Sequence, residues 1–168
     1  MTDTGRSAWF VLRASTRQMK VARALQAKGF EVFLPMQQRH RQWSDRVKVS
    51  ATPMFSSLVF CRFDPKDRVL VLSTPGVARE RERNGIPLEI SDAEIERLRR
   101  ISELPYPAEE CDPLPNPRDS VRITRDPEIR GFLSERGSPC HVVIPCPSIG
   151  RAVVMLVPED VLERDDNS

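Results

Sequence analysis

The chain has 168 residues, with 26 Lys and Arg against 24 Asp and Glu, so its net charge is only +2. That length allows one domain or two small ones. No stretch approaches the roughly 20 consecutive apolar residues that cross a bilayer, and the polar residues 1–7 lack the apolar region of a secretory signal. We therefore expect a cytoplasmic protein without a membrane segment.

The positive charge is concentrated in the first part of the chain. Residues 1–50 contain ten Lys and Arg against three Asp and Glu, whereas residues 51–168 contain sixteen against twenty-one. Such a basic region on a nearly neutral protein is typical of a surface that faces a polyanion, usually nucleic acid. A solvated surface that keeps the protein soluble is the alternative, and charge alone does not separate the two.

The first ninety residues are predicted to contain several short strands and helices. Ser15 or Thr16 can cap the first helix, and Gly29 can end it. The predicted elements are a strand at 9–12, this helix, a strand at 30–34, a long exposed loop or hairpin at 37–50, a strand at 54–63, a segment at 67–73 that is ambiguous between helix and strand, and a strand at 77–83.

The predicted strand at 54–63 is apolar on both faces. Alternation places Phe55, Val59, Cys61 and Phe63 on one face, with Met54, Leu58 and Phe60 on the other. Such a strand is either covered by the protein on both faces, or covered once and free to bind a partner with the second face.

The clearest local signal is the start of a helix at Ser91. Ser91 is an N-cap, Glu94 completes a capping box, and Ile90 with Ile95 forms a hydrophobic staple. We expect the helix to continue to residue 101.

A proline-rich segment divides the chain. Prolines at 105, 107, 113, 115 and 117 predict an extended, unpaired linker. We place an N-terminal domain at 8–104, the linker at 105–117 and a second domain at 118–163. Short strand-like runs at 120–124, 131–134, 141–144 and 151–157, separated by turn residues, indicate a small β-barrel.

No catalytic or metal constellation is evident. His40 and His141 lie in different predicted domains, and no nucleophile or phosphate-binding motif accompanies them. Cys140-His141 with Cys146 is a partial zinc pattern, but a structural site needs four ligands. The four cysteines have no disulfide spacing. We expect a non-enzymatic protein without cofactor or metal.

The ordered set of motifs resembles the N-terminal domain of the NusG family of bacterial transcription elongation and antitermination factors. The resemblance covers residues 8–102 and is carried by Trp9-Phe10-Val11, Gly29-Phe30, Leu34-Pro35, Pro53 with Phe55, Val59-Phe60, Pro75-Gly76-Val77 and Gly85-Ile86-Pro87. Residues 117–163 resemble the family's C-terminal KOW barrel. These sequence motifs are most similar to those of the specialised, operon-targeted branch that includes RfaH and UpxY-type antiterminators.

The resemblance implies an α+β protein: an α/β sandwich, in which helices flank an antiparallel sheet, followed by a small SH3-like barrel. It also favours a helix at 67–73. Two departures stand out. Phe55-Ser56-Ser57-Leu58 replaces the family's Phe-Pro-Gly-Tyr-like turn, so Leu58 stands where an aromatic is expected. The paired glycines of the KOW motif are reduced to Gly131.

The resemblance implies that an apolar stripe binds the clamp helices of the largest subunit of RNA polymerase. The stripe residues are Met54, Phe55, Leu58 and Phe60. The alternative is that the protein's own helix covers this stripe.

Basic residues are candidates for contacts with upstream or non-template DNA. They are Arg13, Arg17, Lys20, Arg39, Arg41, Arg46 and Lys48, with Trp43 available to stack on a base. The alternative is a solvated loop with Trp43 folded back onto the sheet.

We therefore expect a monomeric elongation or antitermination factor that suppresses pausing or termination, for example in a polysaccharide operon. Its barrel is expected to recruit a ribosomal protein or a termination factor. The rival hypothesis is an RNA- or ribosome-associated protein that binds mainly through the barrel.

Overall fold

The computed structural model of the protein describes residues 7–42 and 44–166, without the side chains of residues 38–42, 48 and 49. The chain divides into two compact units, which we call the first unit (residues 1–35 and 55–96) and the second unit (residues 36–54 and 97–168). Among the helices described, none is long and apolar enough to span a membrane.

Most elements of the described residues are short strands, and three α-helices interrupt them. In chain order they are β1 (Ala8–Ala14), α1 (Gln18–Ala27), β2 (Glu31–Phe33), β3 (Met36–Gln42), β4 (Val47–Pro53), β5 (Leu58–Phe63), α2 (Arg68–Leu72), β6 (Val77–Glu80), β7 (Glu82–Arg83), β8 (Ile86–Pro87), β9 (Glu89–Ile90), α3 (Asp92–Glu103), β10 (Ala108–Cys111), β11 (Ser120–Ile123), β12 (Asp126–Glu135), β13 (Cys140–Cys146), β14 (Arg151–Val157) and β15 (Leu162–Arg164).

The first unit is built on an antiparallel sheet with the strand order β2-β5-β1-β6, in which β9 also pairs with β1. Leu12 of β1 lies opposite Val59 of β5. Both side chains pack in one core cluster with Val21 and Leu25 of α1 and Val71 of α2. Helices α1 and α2 therefore cover one face of the sheet, which we call the helix face.

Helix α1 forms where predicted, but its N-terminal cap differs. Arg17 occupies the N-cap position and no side chain caps the helix, so the prediction of a Ser15 or Thr16 cap is wrong. Thr16 instead packs against Gly76, since a Cβ built on Gly76 would lie 2.6 Å from the Thr16 Oγ1. The predicted stop is confirmed: Gly29 follows the helix with a φ of +91°, a backbone conformation that favours glycine.

Two predicted strands of the first unit are shorter than expected. Residues 54–57 form a turn rather than the start of β5, with Ser57 in a left-handed conformation (φ +62°) that a strand cannot contain. The run at 77–83 ends as β6 and then starts a hairpin of β7 and β8. Asn84 and Gly85 form its turn with positive φ values of 54° and 75°, as expected for a type I′ turn.

The other predicted helices are confirmed. The backbone N–H of Glu94 donates to the Ser91 Oγ at 3.1 Å, so Ser91 is the N-cap of α3. The ambiguous segment at 67–73 is helical, with a short 3₁₀ turn at Pro65–Asp67 leading into α2.

The second unit contains the β3–β4 hairpin, so residues 37–50 form a hairpin rather than a loop. It also contains a six-stranded antiparallel sheet in the order β10-β14-β13-β12-β11-β15, which makes up the small barrel. The predicted barrel strands are confirmed as β11 to β14, and β15 was not predicted. The prediction of an unpaired linker is wrong for residues 108–111, since β10 pairs with β14 along its length.

Candidate functional site

The sheet face opposite α1 and α2, which we call the second sheet face, is apolar. In the register of the sheet, Val11 of β1 lies beside Phe60 of β5, and Phe60 lies beside Phe33 of β2. The Phe33 and Phe60 rings contact each other with centroids 5.8 Å apart. Leu58 follows on the same face, opposite Arg13. The alternation predicted for residues 58–63 therefore places Leu58 and Phe60 together, away from the helix face.

The predicted stripe is not open in this structure. Leu58 is 1% exposed and Phe60 is 0% exposed, and Met54 and Phe55 are buried as well. The expectation of an uncovered stripe is therefore wrong, and the alternative of a covered stripe describes the structure. The physical reason is the cost of leaving large apolar side chains in water, about 1.5–3 kcal/mol for each of them.

The turn that leads into β5 is held by helix α1. The Gln18 Nε2 donates to the Phe55 carbonyl oxygen at 2.6 Å and to the Leu58 carbonyl oxygen at 2.8 Å. The backbone N–H of Ala14 donates to the Ser57 carbonyl oxygen at 2.8 Å. One side chain of α1 thus satisfies two turn carbonyls, and the position of Leu58 depends on Gln18.

Basic side chains gather where β1 ends and α1 begins. Arg13 of β1 lies directly opposite Arg79 of β6, and both side chains are exposed. Like charges directly opposite each other in a sheet are destabilising. Arg17 and Lys20 are exposed in the same unit, at the start of α1. We call Arg13, Arg17, Lys20 and Arg79 the basic end.

The side chains of the basic end lack acidic partners in the part of the chain that the structure describes. Within the described residues, none of its four side chains makes an ion pair or hydrogen bond with another side chain. Other arginines do have acidic partners: Arg68 contacts Glu80 at 2.9 Å, and Arg122 contacts Glu163 at 3.0 Å. The positive charge of the basic end is therefore not compensated by acidic side chains of the described residues.

The remaining predicted DNA contacts fall within residues 39–48, which belong to the second unit. Trp43 lies outside the described residues, and so do the side chains of Arg39, Arg41 and Lys48. Arg46 is described and exposed. The structure therefore groups Arg13, Arg17 and Lys20 in one unit, and Arg46 belongs to the other.

Two perturbed groups have structural causes. Burial raises the pKa of the Cys61 thiol to about 12, consistent with its place in the core of the helix face. In the second unit, hydrogen bonding to Arg100 lowers the pKa of Glu128 below its ordinary value. The Arg100 Nε also donates to the Asp126 Oδ2 at 2.8 Å. Cys61 lies in the core of the first unit, whereas Arg100, Asp126 and Glu128 belong to the second unit.

The partial zinc pattern is not assembled. Cys140 and Cys146 are the first and last residues of β13 and both are buried. Six residue steps along a strand separate them by about 20 Å, so the two thiols do not share one metal ion. The His141 Nδ1 lies 3.5 Å from a Glu135 carboxylate oxygen instead.

Arg79 is the residue of the basic end that sequence reasoning missed. Residues 79–83 alternate Arg and Glu, and the sequence predicts only a strand there. The alternation itself contains the signal, because it places Glu80 on the helix face, where it is buried against Arg68, and Arg79 on the opposite face.

The first unit and the barrel together define a two-domain α+β protein with a small C-terminal barrel. A sequence model of the family described as "Transcription termination factor nusG" matches residues 7–99, which is more than half of the chain. The chain therefore belongs to the NusG family of non-enzymatic transcription factors, which bind RNA polymerase. The comparison with curated proteins gives no significant match.

A solved structure supports the fold over the whole chain. The structure reported as "Domain interaction in Thermotoga maritima NusG" superimposes with a TM-score of 0.62, and 96% of this chain and 98% of that chain are covered. The sequence identity is 18%, so this likeness shows the fold alone. The sequence-based prediction of an α+β fold with these two domain types is confirmed.

Proposed function

We propose that this protein binds elongating RNA polymerase and suppresses pausing or termination, with the second sheet face as its polymerase contact and the basic end as its DNA contact. Membership of the NusG family supports the general role. The observation that carries the proposal is the adjacency of the two surfaces: Leu58 of the second sheet face lies directly opposite Arg13 of the basic end. An apolar patch bordered by unpaired cations suits a complex of protein and DNA.

The proposed polymerase contact is the clamp-helix pair of the largest subunit, with Leu58, Phe60, Met54 and Phe55 as apolar anchors. All four side chains are buried in the free protein. Binding through them therefore requires the segments that cover the second sheet face to move away, and part of the binding free energy is used for that exposure. We expect a weaker apparent affinity than an open face would give.

The test compares two matched variants of β5. Phe60→Leu replaces a buried ring on the second sheet face by a smaller aliphatic side chain. Phe63→Leu makes the same replacement on the helix face, where Phe63 contacts Phe10. Both variants should lower the free energy of unfolding by a similar amount, less than about 1.5 kcal/mol. Binding of the full chain to purified bacterial core polymerase should weaken about five-fold or more for Phe60→Leu.

Phe63→Leu should bind as the wild type does. Equal weakening by both variants would assign the effect to stability alone, and the proposed contact face would then be wrong. If the wild-type chain brings down ribosomal components rather than polymerase subunits from a bacterial lysate, the rival function through the barrel is favoured instead.

The DNA contact is tested separately. The double variant Arg13→Gln/Arg79→Gln removes the cross-strand arginine pair, and Arg118→Gln/Arg125→Gln removes two exposed arginines of the second unit as a matched control. We expect only the first to weaken binding to single-stranded DNA in fluorescence anisotropy. For that variant, the plot of log binding constant against log salt concentration should be less steep by about 1.4, because each of the two lost phosphate contacts contributes about 0.7 to the slope. Equal effects of the two double variants would contradict a contact at the basic end.

The finer role that we propose is antitermination in a particular operon, such as one for polysaccharide synthesis, as in the specialised branch of the family. The barrel would then recruit a ribosomal protein or a termination factor. A terminator-reporter assay in cells that express the full chain tests this role, since read-through should rise only with the matching leader DNA. Read-through that rises equally with every leader would indicate a general elongation factor.

A further inference from the structure

The second unit contains a cavity of about 640 Å³ that shares only Met54 with the proposed polymerase contact. Its wall is formed by Met36, Gln37 and Ala51 of the β3–β4 hairpin, by Met54 just after it, and by residues 101–108, which comprise the end of α3 and the segment that follows. Cavities of roughly 300–1,000 Å³ accommodate small organic molecules. The size of this cavity therefore suits a small ligand, and all of its lining belongs to one unit.

The wall contains a buried polar group that lacks a partner. Gln37 is only 5% exposed, and its Oε1 accepts no hydrogen bond from the part of the chain that the structure describes. Buried amide oxygens in folded proteins nearly always have a donor. The Thr52 Oγ1, on the strand directly opposite Gln37, is likewise buried without a described partner. A donor placed at this wall would give the Gln37 oxygen the partner that it lacks.

Several other polar groups of the wall accept hydrogen bonds, beside the Ser102 and Tyr106 hydroxyls, which can donate as well as accept. Helix α3 ends at Glu103 in the wall, and the last carbonyl groups of a helix lack intrahelical partners and carry partial negative charge. Pro105 and Pro107 have no N–H to donate. The Glu103 side chain adds a carboxylate, and no Lys, Arg or His occurs among the described residues that line the cavity. The cavity therefore favours a ligand that donates hydrogen bonds and carries positive charge.

The apolar part of the wall suits the body of such a ligand. Met36 and Met54 offer flexible thioether side chains, which adapt to ligands of different shape. Tyr106 offers an aromatic ring, whose face attracts cations. We infer that the cavity is a binding site for a small organic cation: a protonated amine with an apolar body, whose N–H groups meet the Gln37 carboxamide and the carbonyl end of α3.

The test uses the full chain, labelled with ¹⁵N, and tryptamine as the probe. Tryptamine should cause saturable shifts of the backbone amides of the non-proline residues in 36–37, 51–54 and 101–108, with a Kd of about 1 mM for a ligand of this size. Indole-3-propionate has the same ring with the opposite charge and should bind at least about ten-fold more weakly. Equal affinity for the two probes, or no saturable shift at the cavity up to about 10 mM tryptamine, overturns the proposal.

Two variants assign the contacts. Gln37→Leu removes the carboxamide and should weaken tryptamine binding about ten-fold. Glu103→Gln changes an exposed carboxylate, leaves the fold intact and should weaken binding about three-fold, whereas Glu89→Gln, an exposed carboxylate of the first unit, should change nothing. If Gln37→Leu does not fold, Glu103→Gln decides alone, and unchanged affinity in that variant overturns the proposal. Polymerase is not needed for these measurements, so their outcome is independent of the proposed function.

Discussion

The two larger sheets of this protein, one in the first unit and one in the barrel, differ in how their strands are buried. In the first unit, β5 buries five of its six residues and is apolar on both faces, whereas β12 in the barrel buries only two of ten. A strand with one apolar face needs one cover, which the barrel interior provides for β12. A strand with two apolar faces needs two covers. The comparison shows that the second sheet face, to which β5 contributes, must be covered either by this chain or by a partner.

The first unit and the barrel each contain an Arg–Glu ion pair, and the two pairs differ in burial. On the helix face of the first unit, Glu80 is nearly buried beside Arg68, and the Arg68 guanidinium lies 5.2 Å from the centre of the Phe10 ring. On the barrel, Arg122 and Glu163 form a pair of similar length whose side chains are largely exposed. The environment, rather than the distance, is therefore what should distinguish the two pairs energetically.

The largest expected effect concerns the second sheet face. Leu58→Glu places a carboxylate at a position that is 1% exposed, and burial of an unpaired charge should lower the free energy of unfolding by about 3 kcal/mol or more. Ile86→Glu makes the same kind of change at the tip of the β7–β8 hairpin, where the side chain is 69% exposed. That variant should stay within about 0.5 kcal/mol of the wild type.

Urea unfolding followed by tryptophan fluorescence measures both variants, since Trp9 is buried in the first unit. If Leu58→Glu is as stable as Ile86→Glu, the second sheet face is open in solution. The comparison between the two sheets would then fail, and the polymerase contact would need no uncovering.

The next largest effect is expected inside the barrel. Gly131 lies on β12, and a Cβ built there would be 2.7 Å from the Val142 Cγ1 and 2.8 Å from the Val143 carbonyl oxygen. Because a backbone atom cannot move aside easily, Gly131→Ala should destabilise the barrel by about 1–3 kcal/mol. Ser134→Ala, on the exposed part of the same strand, should cost less than about 0.5 kcal/mol.

Circular dichroism during urea unfolding measures this pair. A Gly131→Ala variant with wild-type stability would mean that β12 does not approach β13 this closely. It would also remove the physical reason for a glycine at this position of the barrel.

The ion pairs should give a smaller difference. Arg68→Met leaves the Glu80 carboxylate buried without its partner and should cost about 2 kcal/mol. Arg122→Met breaks the exposed pair and should cost less than about 1 kcal/mol. Adding Glu80→Gln to Arg68→Met should restore part of the loss. If both single variants cost the same in urea unfolding, burial does not distinguish the two pairs.

Much of this fold was predictable where a local pattern has one physical solution. The Ser91 cap is the clearest case, since its side chain and the Glu94 N–H satisfy each other without help from the rest of the chain. Gly29 is another, because its positive φ suits the end of a helix. The Asn84-Gly85 turn was equally local, and the hairpin was missed because residues 77–83 were interpreted as one strand.

Features that depend on distant residues were not predictable in the same way. The proline-rich segment looked unpaired, yet β10 within it pairs with β14, more than forty residues away along the chain. For β5, the two apolar faces were evident, but whether the second face is covered depends on tertiary structure. The basic end was only partly predicted, since Arg79 meets Arg13 through strand pairing.

The smallest expected effect concerns the turn before β5, where Ser57 stands at the position of the family's glycine. Its φ of +62° is left-handed, which costs a non-glycine residue about 1–2 kcal/mol. Glycine removes that cost but loses about 0.5–1 kcal/mol through the greater freedom of the unfolded chain. Ser57→Gly should therefore stabilise the first unit by about 0.5 kcal/mol. Asn84→Gly is the matched control, because asparagine already tolerates its φ of 54°, and it should give no gain. A loss of stability in Ser57→Gly would show that the serine side chain supports the turn. Serine at this position would then help to hold β5, the strand that contributes to both faces of the sheet.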